Sequence, residues 1–273
     1  MHSTGTQHSL SGLQQTKKIY ISTTFREFDG SANDAIQRLF LESLKNQTYT
    51  NWQLVVTVFH EKTVRDTVRS IIPDAVIREA DAGGYRFSLT DVLLNTLDAA
   101  SAGKKSVIIW TTCDVLFEKN FFENILRNYS EKFSGTSHPH RYYQTIEEFK
   151  NNKDNFIYNR GFGIDTVFFA VEVLSSETVR NIIAKYRFNN WGYFENFLAG
   201  IAEKYADKKI NLSKLSYIVK IVNDRDANRE TQEYFHECTL MNRPVLQEFL
   251  RNEGLPEEFE HAHVCNARFT VVK

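Results

Sequence analysis

Apolar and polar positions alternate in blocks along the first half of the chain. Residues 18–23 (KIYIST) form a β-branched and aromatic run that predicts a first strand. Residues 34–44 place Ile36, Leu39, Phe40 and Leu44 on one helical face. Residues 53–59 (QLVVTVF) are almost continuously apolar, as in a strand buried on both faces. The pattern repeats with a helix over 62–72 ended by Pro73, a short strand over 75–79 and a helix over 88–100, where Gly103 sits as a C-terminal cap. A strand over 105–111 (KSVIIWT) and a helix over 121–129 follow. Strand and helix in strict alternation predict a mostly parallel sheet wrapped by helices. The second half is less regular. Residues 134–155 are polar and read as a mobile loop or lid carrying His138, His140, Arg141 and two tyrosines. Strands are expected over 166–173, 214–222 and 267–272, and helices over 176–186 and 193–205, with 229–251 packing or capping.

With 273 residues, 42% of them hydrophobic, the chain can bury one sizeable core. The reading is a single α/β domain over 17–273, with a first half at 17–130 and an irregular second half at 131–273. Residues 1–16, rich in Ser, Thr, Gln and Gly, read as a disordered tail. A net charge of -1 offers no global field for nucleic acid, so none is expected as a partner. The 13% aromatic content serves core packing, with a minority available to stack on sugars or a base. Three widely spaced cysteines give neither a disulfide framework nor a zinc motif. No apolar run reaches the length of a membrane span. A soluble, cytoplasmic protein is expected, with peripheral membrane attachment left open.

In open α/β sheets ligands bind beyond the carboxyl ends of the strands. Thr23 to Glu27, His60 to Lys62, Asp81 to Arg86 and Thr112 to Asp114 occupy those positions. There is no P-loop and no GxGxxG, and Gly161-Phe162-Gly163 reads as a tight turn. His261-Ala262-His263 would put two imidazoles on one face of a strand, a surface feature or a pair of metal ligands. Asp114, directly after VIIWTTC, can hold a divalent cation or cap the next helix.

Taken in order, these segments resemble the GT-A glycosyltransferases. Residues 21–27 (ISTTFRE) match the family's opening strand and turn. Residues 43–56 (SLKNQTYTNWQLVV) match its QTY-x-NW segment closely. Residues 78–91 and 99–114 follow the family's order up to the DxD motif, here Thr112-Cys113-Asp114 with only the last acid kept. The VVDDGS acids are replaced by VTVFHEK. The likeness covers residues 18–126 well and is weaker from Gly161 on. It implies transfer of a sugar from a nucleotide-diphosphate sugar to a hydroxyl of a glycan or lipid-linked acceptor, assisted by Mn or Mg. By the same resemblance Thr24, Arg26, Glu61 and Arg86 hold the nucleotide, and Asp114, with His263, the metal. Glu195 or Asp165 is then the base that takes the acceptor's proton. A non-catalytic GT-A-like binding module and a sugar nucleotidyltransferase are the alternatives. The latter lacks its glycine-rich basic loop here.

Overall fold

Eight strands form one sheet in the order β12-β10-β6-β9-β4-β1-β2-β3. In the computed structural model the described residues are 16–59, 62–80, 88–100, 105–138, 141–143, 145–151, 157–158, 164–189, 192–219 and 229–272. β1 (Ile19–Thr23), β2 (Trp52–Val58), β3 (Val76–Glu79) and β4 (Val107–Thr111) run parallel to one another. Their carboxyl ends therefore share one edge of the sheet. β1 and β4 are buried at every position, which explains their unbroken apolar sequences.

Helices α1 (Ala32–Lys45), α2 (Lys62–Ile71) and α3 (Leu89–Ala100) connect these strands. α3 packs across β1 and β2. β5 (Val115–Phe117) and α4 (Phe121–Arg127) follow β4. The next sheet strand is β6 (Phe133–Ser137), buried throughout. This corrects the mobile-loop reading for residues 134–137. The polar side chains of β6 are spent inside the fold: Ser134 Oγ donates to Phe168 O, Thr136 Oγ1 to Asn266 Oδ1 and Ser137 Oγ to Leu212 O. Gly135 leaves room for the Phe168 ring, whose Cζ would lie 2.1 Å from a Cβ at that position.

β7 (Arg141–Tyr143) and α5 (Ile146–Asn151) lie within the expected loop, and β8 (Ile157–Tyr158) just beyond it. β9 (Thr166–Ala170) is the one antiparallel member of the large sheet, paired with β4 and β6. The strand expected to reach residue 173 stops at Ala170, because α6 (Val171–Ser175) begins there, followed by α7 (Glu177–Lys185) and α8 (Phe194–Tyr205).

β10 (Lys208–Asn211) and β12 (Thr270–Val271) extend the sheet. β11 (Ser216–Val219) joins β5, β7 and β8 in a second, four-stranded sheet. α9 (Arg229–Glu253) and α10 (Ala262–Ala267) pack on α8. The final strand is thus two residues long, and His261-Ala262-His263 opens a helix where a strand was expected. The expected tail falls, except for Thr16, outside the described residues.

The QTY-x-NW segment is a structural clasp. Gln47 Nε2 donates to Ser43 O and Glu118 O, while its Oε1 accepts from the Phe122 N–H. The Tyr49 hydroxyl and Asn51 Nδ2 both donate to Lys17 O, just before β1. Trp52 meets Phe122 edge to face at 6.2 Å. The segment therefore ties the α1–β2 connection to the start of β1 and to the turn before α4. No helix among the described residues is long and apolar enough to cross a membrane.

Candidate active site at the strand ends

Three strands end or begin in one row. Thr111 of β4 pairs with Thr166 of β9, which pairs with Ser137 of β6. The Thr111 and Thr166 hydroxyls are 2.8 Å apart, and the Thr112 N–H donates to Asp165 O at 3.3 Å. Because β9 is antiparallel to its neighbours, the residue before it lies on the same edge as the residues after β4 and β6. This places Asp114, Asp165 and His138 at one end of the sheet.

Asp114 lies in the turn between β4 and β5. Its Oδ1 is buried and makes no hydrogen bond, and neither does the neighbouring Thr112 Oγ1. Burial pushes the Asp114 carboxyl above its ordinary range. The Thr112 hydroxyl dipole opposes that shift, the Asp165 charge adds to it and the Arg26 charge opposes it. A buried acceptor with no donor is costly, and a cation is the natural remedy.

Asp165 is held on both sides. Its backbone oxygen takes the Thr112 N–H, and its Oδ2 is 2.7 Å from His138 Nδ1. His138 is only 3% exposed, and its N–H donates to Ser213 Oγ. The sequence placed this histidine in a solvent-facing lid. It is instead a buried partner of a candidate catalytic acid, concealed because the strand that carries it reads as polar.

Glu195 sits in the first turn of α8. The Trp110 and Phe194 rings, 5.2 Å apart and edge to face, fix that end of the helix against β4. Asn196 Nδ2 donates to Phe259 O, which anchors the opposite side. The Glu195 carboxyl is pushed up to about 7, chiefly by burial; a backbone N–H opposes the shift and the Asp165 charge adds to it.

Arg26 and Thr24 follow β1. The Arg26 backbone is bracketed by Gln37, whose Oε1 accepts its N–H at 2.7 Å and whose Nε2 donates to its carbonyl. Gln37 Oε1 also accepts from Cys113 Sγ, linking this loop to the Asp114 turn. The Thr24 hydroxyl is spent on Thr57 O, so it closes β1 onto β2. Glu61 and Arg86 lie outside the described residues. His263 is exposed on α10, its ring stacked beside His261 at 5.6 Å. Among the described residues no three His, Cys, Asp or Glu side chains are grouped closely enough to hold a metal by themselves. The donors that remain, one buried carboxylate oxygen and one hydroxyl, suit Mg or Mn completed by ligand phosphates.

No protein-family model and no curated protein sequence matches the chain. Solved structures do. A mannosyltransferase from Pyrobaculum calidifontis, determined in complex with GDP-Man and Mn2+, superposes with a TM-score of 0.52 at 12% identity, over 92% of this chain and 69% of that one. A mycobacterial protein gives 0.50 at 13% identity, over 89% and 77%. Together with the sheet order, these likenesses give the architecture a name: the chain has the GT-A fold, a mostly parallel sheet flanked by helices in a single domain.

Proposed function

We propose that this protein is a glycosyltransferase that moves a sugar from a nucleotide-diphosphate sugar to a hydroxyl of a glycan or lipid-linked acceptor. The observation that supports the reading is a buried Asp114 oxygen without a hydrogen bond at the sheet end that also carries Asp165, whose charge reaches both Asp114 and Glu195. In this reading Asp114 and Thr112 anchor a divalent cation whose remaining ligands are diphosphate oxygens. That cation would neutralise the leaving diphosphate. Arg26 adds positive charge on the donor side, and Glu61 and Arg86 are assigned to the nucleotide by resemblance. His263, exposed beside His261, is not included in the cation's ligand set.

Glu195 is the base. A carboxyl titrating near 7 is matched to accepting a hydroxyl proton at neutral pH. Burial is the main cause of that value, and the charge of Asp165, fixed by His138, adds to it. Cys113 and Cys265 are free thiols, which accords with a cytoplasmic setting.

Thermal unfolding with GDP or UDP, each with and without Mn2+, tests the reading. A ligand at a hundredfold excess over its Kd stabilises by about 2.7 kcal/mol. A shift that requires both nucleotide and metal is expected. No shift with any nucleotide would leave a GT-A-fold binding module.

A further inference from the structure

At the edge of the sheet, beside the carboxyl end of β3, an open hollow of about 390 Å³ lies between α2 and β3. It is lined by Arg65, Arg69, Ile77, Arg78 and Glu79. Three guanidiniums therefore meet one carboxylate, in a chain whose net charge is -1. Arg65 is paired with Glu79. Arg69 and Arg78 are exposed and have no acidic partner among the described residues.

This arrangement works against the local structure that carries it. Arg65 and Arg69 are like charges four residues apart on α2. Arg65 also lies in a first turn without any acidic residue, where the helix dipole disfavours a cation. Arg78, across on β3, adds to the repulsion. An anion in the hollow relieves all three. The planar fork of a guanidinium matches the paired oxygens of a phosphate, and two unengaged forks facing one space suit a phosphate or diphosphate better than a lone carboxylate. Ile77 gives the floor an apolar surface, and Glu79 holds Arg65 in place.

The hollow lies at the carboxyl end of β3, apart from the carboxylates beyond β4. β3 is three strand positions from β4, roughly 14 Å at about 4.8 Å per strand. None of its lining residues belongs to the Asp114, Asp165 and Glu195 group. We propose that it is a second anion site, taking a phosphate-bearing group: a free diphosphate or the phosphate of an anionic lipid headgroup. The proposal does not depend on sugar transfer at the strand ends.

The test is site-resolved NMR on the full chain, following the guanidinium Nε–H signals of Arg65, Arg69 and Arg78. Inorganic pyrophosphate is titrated in EDTA, which silences metal-dependent diphosphate binding elsewhere. A parallel arm uses phosphatidylcholine vesicles with and without phosphatidylglycerol. Saturable shifts of all three signals with pyrophosphate identify a soluble ligand; broadening only with the anionic vesicles identifies a headgroup. In either case the double variant Arg69→Ala/Arg78→Ala should bind at least tenfold more weakly, with an unchanged melting temperature because both side chains are exposed. If that variant misfolds, Arg69→Gln/Arg78→Gln replaces it. Silence of the three signals in both arms, or equal affinity in the double variant, overturns the proposal.

Discussion

His138 Nδ1 lies 2.7 Å from Asp165 Oδ2, at the end of the sheet where β6 finishes and β9 begins. Sequence separates the two by 27 residues. An antiparallel register of Ser137 against Thr166 brings them together. The imidazole is buried, whereas the carboxylate is 29% exposed and so retains a face toward solvent. The pair aims an acid at the site from a rigid strand end.

A double-mutant cycle on this pair should show strong coupling. Hydrogen bonds to charged groups contribute about 1.5–3 kcal/mol. His138→Ala and Asp165→Asn, measured singly and together by urea unfolding, should therefore deviate from additivity by about 1–3 kcal/mol. Additive effects would show that the contact does not constrain Asp165.

Glu195 makes the protein's pH dependence specific. Its folded value is raised from 4.5 to about 7, so between those values the folded state holds a proton that the unfolded chain has released. Stability from this group is fully present below about 4.5 and is lost as pH rises toward 7. Glu195→Gln removes the penalty. At pH 8 the variant should be more stable than the parent by up to about 3 kcal/mol, and the two should converge near pH 4. If Glu195 is the base, transfer should rise with pH through about 7 in the parent and be lost in the Gln variant. Parallel stability curves for parent and variant from pH 4 to 8 would place the carboxyl in water.

Gly135 tests the strand that sequence concealed. A Cβ there would lie 2.1 Å from Phe168 Cζ, with Ile210 Cγ1 at 2.9 Å. Overpacking of this kind costs about 1–3 kcal/mol. Gly135→Ala should fall at the top of that range by denaturant unfolding, and adding Phe168→Leu should restore part of it. Neutral behaviour of Gly135→Ala would return residues 134–137 to the surface.

That concealment has a general cause. Among the strands read correctly from sequence, β1, β2 and β4 are parallel, central and lined with Ile, Val and Trp on both faces, so burial is written in composition. β6 is equally buried but carries Ser, Gly and Thr, whose hydroxyls find partners inside the fold and whose glycine admits a ring from β9. Its burial is encoded in Phe168, thirty-odd residues downstream, and no local window contains that information. Asp114 could be picked out from its strand end, and Asp165 and Glu195 from the resemblance. Their common location could not, because it depends on one antiparallel strand. The QTY-x-NW segment, the most recognisable in the chain, holds no candidate chemistry: it fastens two connections.

Asp114 is where fold and activity can be separated. Its Oδ1 is buried without a donor, its carboxyl is raised by burial, and the Asp165 charge adds to that pressure. With no cation present, removing its charge should stabilise the fold or leave it unchanged. With nucleotide diphosphate, the same carboxylate would repel the phosphates unless a cation lies between them. Asp114→Asn should therefore unfold at an equal or higher temperature than the parent in EDTA, yet lose at least tenfold in Mn2+-dependent affinity for GDP or UDP, measured by calorimetry. Asn can still offer an amide oxygen, so weak residual binding is expected. Asp114→Ala, which also removes that oxygen, should abolish the metal dependence. An Asn variant that binds nucleotide and Mn2+ as tightly as the parent would show that the cation, if there is one, is held elsewhere, and the strand-end carboxylate would then be only a buried turn residue.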